Sequence, residues 1–246
     1  MLDASKLQAF LDGAHIAPEV FALRPDYRCL LLALDKVTTG PSNETSDQLL
    51  REAESSAKAT LAATPLTEIP HIASWRAAYK AFRSKPAKFR NSLEALTRRV
   101  EAGLPRVNYL TDTYNAISVK HQIPLGGEDI SKYDGSPLLK RAVGEEKFET
   151  KDGGKPVTEH PDVGEVIWCD ASGITCRRWN WRQGTRTALT PETTSVLFIM
   201  DALDPCSDDA LNEAADELVA ALSKNAPNVA VARRMMGRTR ELADMR

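Results

Sequence analysis

Three short stretches hold the side chains that could do chemistry. In NYLTDTYN, Asn108, Asp112 and Asn115 recur at i, i+4 and i+7, a spacing that puts three polar groups on one face of a helix. In IPLGGEDI, Gly126 and Gly127 are expected to form a compact turn that adopts dihedrals closed to other residues and brings backbone N–H groups near a ligand. In GITCRRWNWRQ, an extended chain would set Arg177, Trp179 and Trp181 on one face, with Cys176, Arg178, Asn180 and Arg182 on the other. Such a set offers stacking surface and hydrogen-bond donors without a nucleophile. Cys29, Cys169, Cys176 and Cys206 form no C-x-x-C pair and have no histidine nearby to make a thiolate, although Cys169 and Cys176 could face each other across a hairpin. His15, His71, His121 and His160 are isolated. Neither a metal nor a cofactor is expected.

The elements that must position these groups follow from periodicity. SKLQAFLDGA reads as a helix ending at Gly13, EVFALRP and YRCLLLALDKV as strands, and Asp47 to Ala63 as a helix behind a polar capping loop. Pro65 and Pro70 bracket a short linker. SWRAAYKAFRSKP, SLEALTRRVEAG and NYLTDTYNAISVKHQ read as three further helices, the second capped at Asn91 and closed by Gly103. In the third, Leu110 and Ile117 pack while Asn108, Asp112, Asn115 and Lys120 stand apart. From Leu138 the chain turns mainly to strand: LLKRAV, a polar loop through DGGKPVTEHPDVG, the hairpin EVIWCD/GITCRRWNW and VLFIMDAL. An acidic helix, a last strand NVAVARRM and a basic tail with Arg233, Arg234, Arg238 and Arg240 complete it. These elements predict an α+β fold over residues 1–246 as one domain, its strands in two layered or sandwiched sheets flanked by helices.

Hydrophobic residues make up 42% and charged residues 27% of the 246, ordinary for a globular chain. No apolar run reaches the length of a membrane span, and an acid stands where a signal peptide carries positive charge, so no membrane partner and a cytoplasmic location are expected. The net charge of −2 hides an asymmetry. Between His71 and Val100 the chain carries Arg76, Lys80, Arg83, Lys85, Lys88, Arg90, Arg98 and Arg99 against Glu94 alone. A polyanion would meet this segment locally and bind it in a salt-sensitive way; the alternative is a solvated helix face.

Three collinear pieces resemble the editing domain of the phenylalanyl-tRNA synthetase beta subunit, the B3/B4 domain, in freestanding form. They are N-x-x-x-D-x-x-N (Asn108, Asp112, Asn115), I-P-L-G-G-x-D (Ile123 to Asp129) and R-x-W-N-W-R-Q (Arg177 to Gln183), within a stretch from about His71 to Leu203. Residues 1–70 then supply an N-terminal strand and helix part, and 204–246 the acidic helix and basic tail. The resemblance implies a hydrolase that deacylates mischarged aminoacyl-tRNA in trans, including tRNA carrying the arginine analogue canavanine. The physical need is that one binding pocket discriminates poorly between near-isosteres, so a second must destroy the errors. Where the synthetase domain has a pocket histidine after its proline-leucine turn, this chain has Gly126. The expected pocket is therefore wider or shaped around another side chain.

On this resemblance, main-chain N–H groups of Leu125, Gly126 and Gly127, with Asn115 or Asn180, would hold the ester carbonyl while a ribose hydroxyl orients water. Asp112 would be a hub capping backbone groups. RWNWRQ would line the pocket, with Trp179 or Trp181 stacking, Arg178 or Arg182 holding phosphate or the substrate end, and Gln183 beside them. A cationic substrate side chain would call for an acid, with Asp129, Asp134, Asp170 and Asp201 as candidates. The basic helices from Trp75 to Arg99 would carry the tRNA acceptor stem. A noncatalytic tRNA-binding module and a small-molecule ester hydrolase are the rival readings.

Overall fold

The computed structural model describes residues 3–238. Its spine is the apolar run CLLLAL, which forms β2 (Arg28–Asp35), pairing antiparallel with β10 (Ser195–Ala202) along all eight residues. β3 (Leu125–Asp129) adds to the far side of β10 and β11 (Ala230–Gly237) to the far side of β2, giving an antiparallel sheet ordered β11-β2-β10-β3. The run is apolar at every position because both faces are covered. Leu30, Leu32 and Leu34 pack with Val196, Phe198 and Met200 under α6 (Tyr109–His121) and α7 (Asp208–Ser223). Cys29, Leu31 and Ala33 face the opposite core with Leu197 and Ile199.

That opposite core is closed by α1 (Ala4–Asp12), α2 (Pro18–Leu23), α4 (Pro70–Ala81) and a second sheet ordered β1-β4-β7-β8-β9. Its strands are β1 (His15–Ile16), β4 (Leu138–Arg141), β7 (Val166–Cys169), β8 (Ile174–Arg177) and β9 (Arg182–Gln183). α3 (Glu44–Ala63) packs on α6, and α5 (Ser92–Thr97) lies beside them. A separate hairpin, β5 (Phe148–Asp152) with β6 (Lys155–Glu159), leans on the second sheet. The fold is thus mixed α and β with layered sheets and flanking helices. Among the described residues no helix is long and apolar enough to cross a membrane.

Several elements depart from the sequence reading, each for a local reason. EVFALRP is the helix α2, because Pro18 sits at its first turn with Glu19, where a missing N–H and a negative charge are both favourable. The helix expected over SLEALTRRVEAG stops at Thr97 and continues as turns to Gly103, whose φ is +94°. DGGKPVTEHPDVG is not all loop, since Lys155–Glu159 within it form β6. Cys169 and Cys176 do not oppose each other: Cys176 pairs with Trp168 and Cys169 with Ile174. Asp112 and Asn115 do not stand apart on α6 but are buried with its apolar residues, whereas Lys120 is exposed. In the expected basic tail, Arg233 pairs with Asp216 and Arg234 donates to the carbonyls of Leu11, Asp12 and Ala14 within β11; Arg240 lies outside the described residues.

Candidate functional site

The two sheets meet along β3 and β10 on one side and β7, β8 and β9 on the other, and between them lies a cavity of about 270 Å³. Register fixes its floor. Gly126 lies opposite Ile199 and Glu128 opposite Leu197, while Asp201 donates its N–H to the Pro124 carbonyl. Glu128 and Asp201 therefore share a face four residues apart, about 13 Å along the strands, with Gly126 between them. The run expected as a turn is thus an edge strand. Neither Gly126 nor Gly127 has a positive φ, and their lack of Cβ serves packing instead. A Cβ on Gly127 would meet Phe198 at 3.0 Å and Tyr114 at 3.2 Å.

The strand pairing also decides which main-chain groups are free. Asp129 donates its N–H to Thr187 and Gly127 accepts from Gln183 Nε2 at 3.1 Å, so odd-numbered residues of β3 turn their polar groups away from β10. The Gly126 N–H points into the ladder and is not available to a ligand. Leu125 and Gly126 border the cavity; Gly127 does not.

Two buried carboxyls dominate its electrostatics. Glu128 is 1% exposed, and burial pushes its pKa up to about 7 despite a hydrogen bond from the Tyr133 hydroxyl and the nearby Thr175 and Thr187 hydroxyls. Its Oε1 has no partner in good hydrogen-bond geometry. Asp201 is likewise pushed up to about 7 by burial, offset in part by donors: Tyr27 Oη at 2.6 Å and Asn180 Nδ2 at 3.1 Å. Asn180 is pinned in turn by Tyr79 Oη at 3.0 Å. The chain Tyr27–Asp201–Asn180–Tyr79 is a satisfied buried network, whereas Glu128 keeps an acceptor to spare. Asn115, at the cavity wall, makes no side-chain hydrogen bond among the described residues. Cys176 also borders the cavity, but burial pushes its thiol well above the ordinary range, so it is no nucleophile.

RWNWRQ does not continue the hairpin as a strand. Arg178 (φ +46°) and Trp179 (φ +67°) are both left-handed, and residues 178–181 turn the chain so that Arg182 pairs back with Arg177 and Gln183 with Cys176. Alternation fails there, and the two tryptophans separate. Trp179 is fully buried among Tyr27, Trp75 and Phe82, with ring centroids 4.9, 5.3 and 6.3 Å away, so it forms inner wall and not an exposed stacking surface. Trp181 is half-buried at the mouth, edge-on to Phe89 at 4.9 Å. Arg178 does not reach the cavity. It is buried, stacked 3.7 Å from the Phe89 centroid, and ion-paired with Asp162 and Glu165. Arg177 is held by Glu165 and Glu159 at 2.8 Å. Arg182 borders the mouth while Nη2 fastens Thr150 Oγ1 and the Lys151 carbonyl of the β5–β6 hairpin.

Other expected site residues are structural. Asn108 caps α6 by accepting from the Thr111 N–H at 2.8 Å, and it borders a different groove. Asp112, fully buried, accepts from the Val107 N–H and Ser46 Oγ. Asp129 turns away from the cavity to accept from Ser131 and Thr193 Oγ1. Asp170 is held by Arg186 and, with Asp134, orders the β7–β8 loop. Of the four acids considered, only Asp201 faces the cavity. Glu128 escaped the sequence reading because a Gly-Gly pair suggested a turn; read as a strand, Gly126 and Glu128 share a face.

The basic segment divides in two. Arg76 and Arg98 both bind Glu94 Oε1, at 2.8 and 2.9 Å, and neutralise that buried carboxylate. Lys80, Arg83, Lys85, Lys88 and Arg99 are exposed and make no ion pair among the described residues; Arg90 is half-buried. Arg99 borders the cavity, and Lys88 lies 5.0 Å from the Phe89 ring that packs on Trp181.

A mixed α and β fold enclosing an acid-floored cavity between two sheets is what the site defines. Residues 74–226 match the B3/4 domain, and the chain belongs to that family. Among solved structures, an N-terminal fragment of the phenylalanyl-tRNA synthetase beta subunit from Pyrococcus horikoshii aligns at 9% identity with a TM-score of 0.44, over 92% of this chain and 54% of that one. The chain thus spans about half of that fragment. No curated protein matches.

Proposed function

We propose that the protein hydrolyses the ester of mischarged aminoacyl-tRNA in trans, and that the amino acid it removes carries a cationic side chain such as the guanidinooxy group of canavanine. The observation that carries this reading is the junction of an acid-floored cavity with a cation-bordered mouth. A cavity of about 270 Å³ suits one amino-acid residue better than a nucleotide, since drug-sized ligands occupy roughly 300–1,000 Å³. Ionised Glu128 faces the cationic end of the side chain with its spare oxygen. Asn115, without a side-chain partner among the described residues, donates to the ester carbonyl oxygen. Water, oriented by the vicinal ribose hydroxyl, attacks the carbonyl carbon; the bond to the ribose oxygen breaks, and that oxygen takes a proton. An aminoacyl ester is activated enough that positioning and oxyanion stabilisation suffice. Lys85, Lys88 and Arg99 receive the phosphates of the acceptor end.

The test is release of labelled amino acid from purified aminoacyl-tRNAs: arginine tRNA charged with arginine or canavanine, and phenylalanine tRNA charged with tyrosine. Selective release of canavanine is the expected result. Tight, salt-sensitive tRNA binding without release from any member would replace this reading with a noncatalytic binding module.

A further inference from the structure

One side chain crosses the gap between the sheets in the middle of the cavity. Gln183 belongs to β9 of one sheet, and its Nε2 donates to the Gly127 carbonyl on β3 of the other at 3.1 Å. It does so directly over Gly126. An ideal Cβ on Gly126 would stand 2.8 Å from Gln183 Nε2 and 3.6 Å from its Cδ. The backbone at Gly126 lies outside the left-handed region, so glycine is required here by the neighbour and not by its own dihedrals. The space that any other residue at 126 would fill is occupied by a carboxamide delivered from residue 183.

Gly126 lies midway between the Asp201 end of the cavity floor and the Glu128 end. We propose that the Gln183 carboxamide, seated in the space left by Gly126, is the constriction that sets the girth of side chain able to reach Glu128. This rests on the deacylase reading and deepens it. A slender unbranched chain passes alongside the amide; an aromatic ring does not. Gln183 acts by exclusion, so its removal relaxes selectivity, whereas loss of a group that merely supports the fold would lower all substrates together.

The experiment uses the full chain in four forms: wild type, Gln183→Ala, Gly126→Ala and the double variant. Each is assayed on an RNA minihelix charged with canavanine or with tyrosine. Gln183→Ala is expected to raise the ratio of kcat/KM for tyrosyl over canavanyl ester by about tenfold or more, the scale on which apolar pockets discriminate by size. Gly126→Ala drives the amide into the passage and lowers turnover of both esters, and adding Gln183→Ala restores it. A Gln183→Ala variant with an unchanged ratio, or a Gly126→Ala variant indistinguishable from wild type, overturns the proposal. Thermal unfolding of the same four proteins separates the two levels of inference. If wild type hydrolyses neither ester, the deacylase reading fails, and the constriction is judged by whether the double variant recovers the Tm lost in Gly126→Ala. Additive losses would overturn it.

Discussion

Inside the cavity Glu128 and Asp201 are buried carboxyls facing inward, and Arg99 and Arg182 enter its lining only at the mouth. Along the exposed part of the basic segment the order is reversed. Lys80, Arg83, Lys85, Lys88 and Arg99 are exposed without ion-pair partners among the described residues. Desolvated charge gives selectivity for one small group, whereas solvated charge gives salt-dependent attraction for any polyanion. Under the proposed function, the contrast makes choice of amino acid and affinity for tRNA separable properties. The largest expected effect tests the interior half. Glu128→Gln keeps volume and the contact with Tyr133 but removes the charge, and turnover of canavanyl-tRNA should fall about 100-fold, the scale for losing one partner of a buried charge pair. Binding of uncharged tRNA should stay within twofold. Equal losses in both would abolish the separation.

The same variant sharpens the comparison through stability. Glu128 titrates near 7 in the folded protein and at 4.5 as an ordinary carboxyl. A raised folded pKa contributes stability that is complete below 4.5 and is lost as pH rises through 7. Glu128→Gln escapes this loss. It should unfold at the same temperature as wild type at pH 4 and be more stable by on the order of 3 kcal/mol at pH 8. His71 bends the wild-type curve the other way: burial lowers its pKa to about 4, so its contribution is present above 6.5 and lost toward 4. Comparing variant with wild type cancels that term. A constant difference across pH would mean that Glu128 is not a buried acid.

The exterior half is tested by replacing Lys80, Arg83 and Lys88 together with alanine. tRNA affinity should fall at least about tenfold at low salt, and the slope of log K against log salt should shrink by about 2 to 3. Cleavage of a free aminoacyl-adenosine ester should be unchanged, because none of the three borders the cavity. Loss of that activity as well would join what the comparison separates.

How far the sequence displays this division depends on range. The central strand CLLLAL, the helix cap at Asn91 and the α+β class are legible because local pattern and burial agree. Asn115, Gly126, Asn180, Trp181 and Gln183 do border the cavity, but their spacing does not say why. Gly126 yields to a side chain 57 residues later in the chain, which no local rule detects. Arg178 and Trp179 break strand alternation because the aromatic core takes one ring and Glu165 takes the main-chain N–H of Arg178. Glu128 stayed hidden because glycine pairs suggest turns, and only the pairing of β3 with β10 exposes the strand.

The smallest expected effect is the most discriminating between the halves of the basic segment. Arg98 and Arg99 are neighbours of identical chemistry, and composition counts them alike. Arg98 is committed: Nη2 lies 2.9 Å from Glu94 Oε1, and Arg76 shares the same oxygen at 2.8 Å. Arg98→Ala leaves Glu94 with one partner, so Tm should fall by a few degrees while tRNA affinity stays within twofold. Arg99 has no such commitment and borders the cavity. Arg99→Ala should leave Tm unchanged and raise KM for aminoacyl-tRNA about threefold at low salt, the difference fading as salt increases. If the two variants behave alike, net basic charge is all that this segment contributes, and the surface beside the cavity has no privileged place in binding.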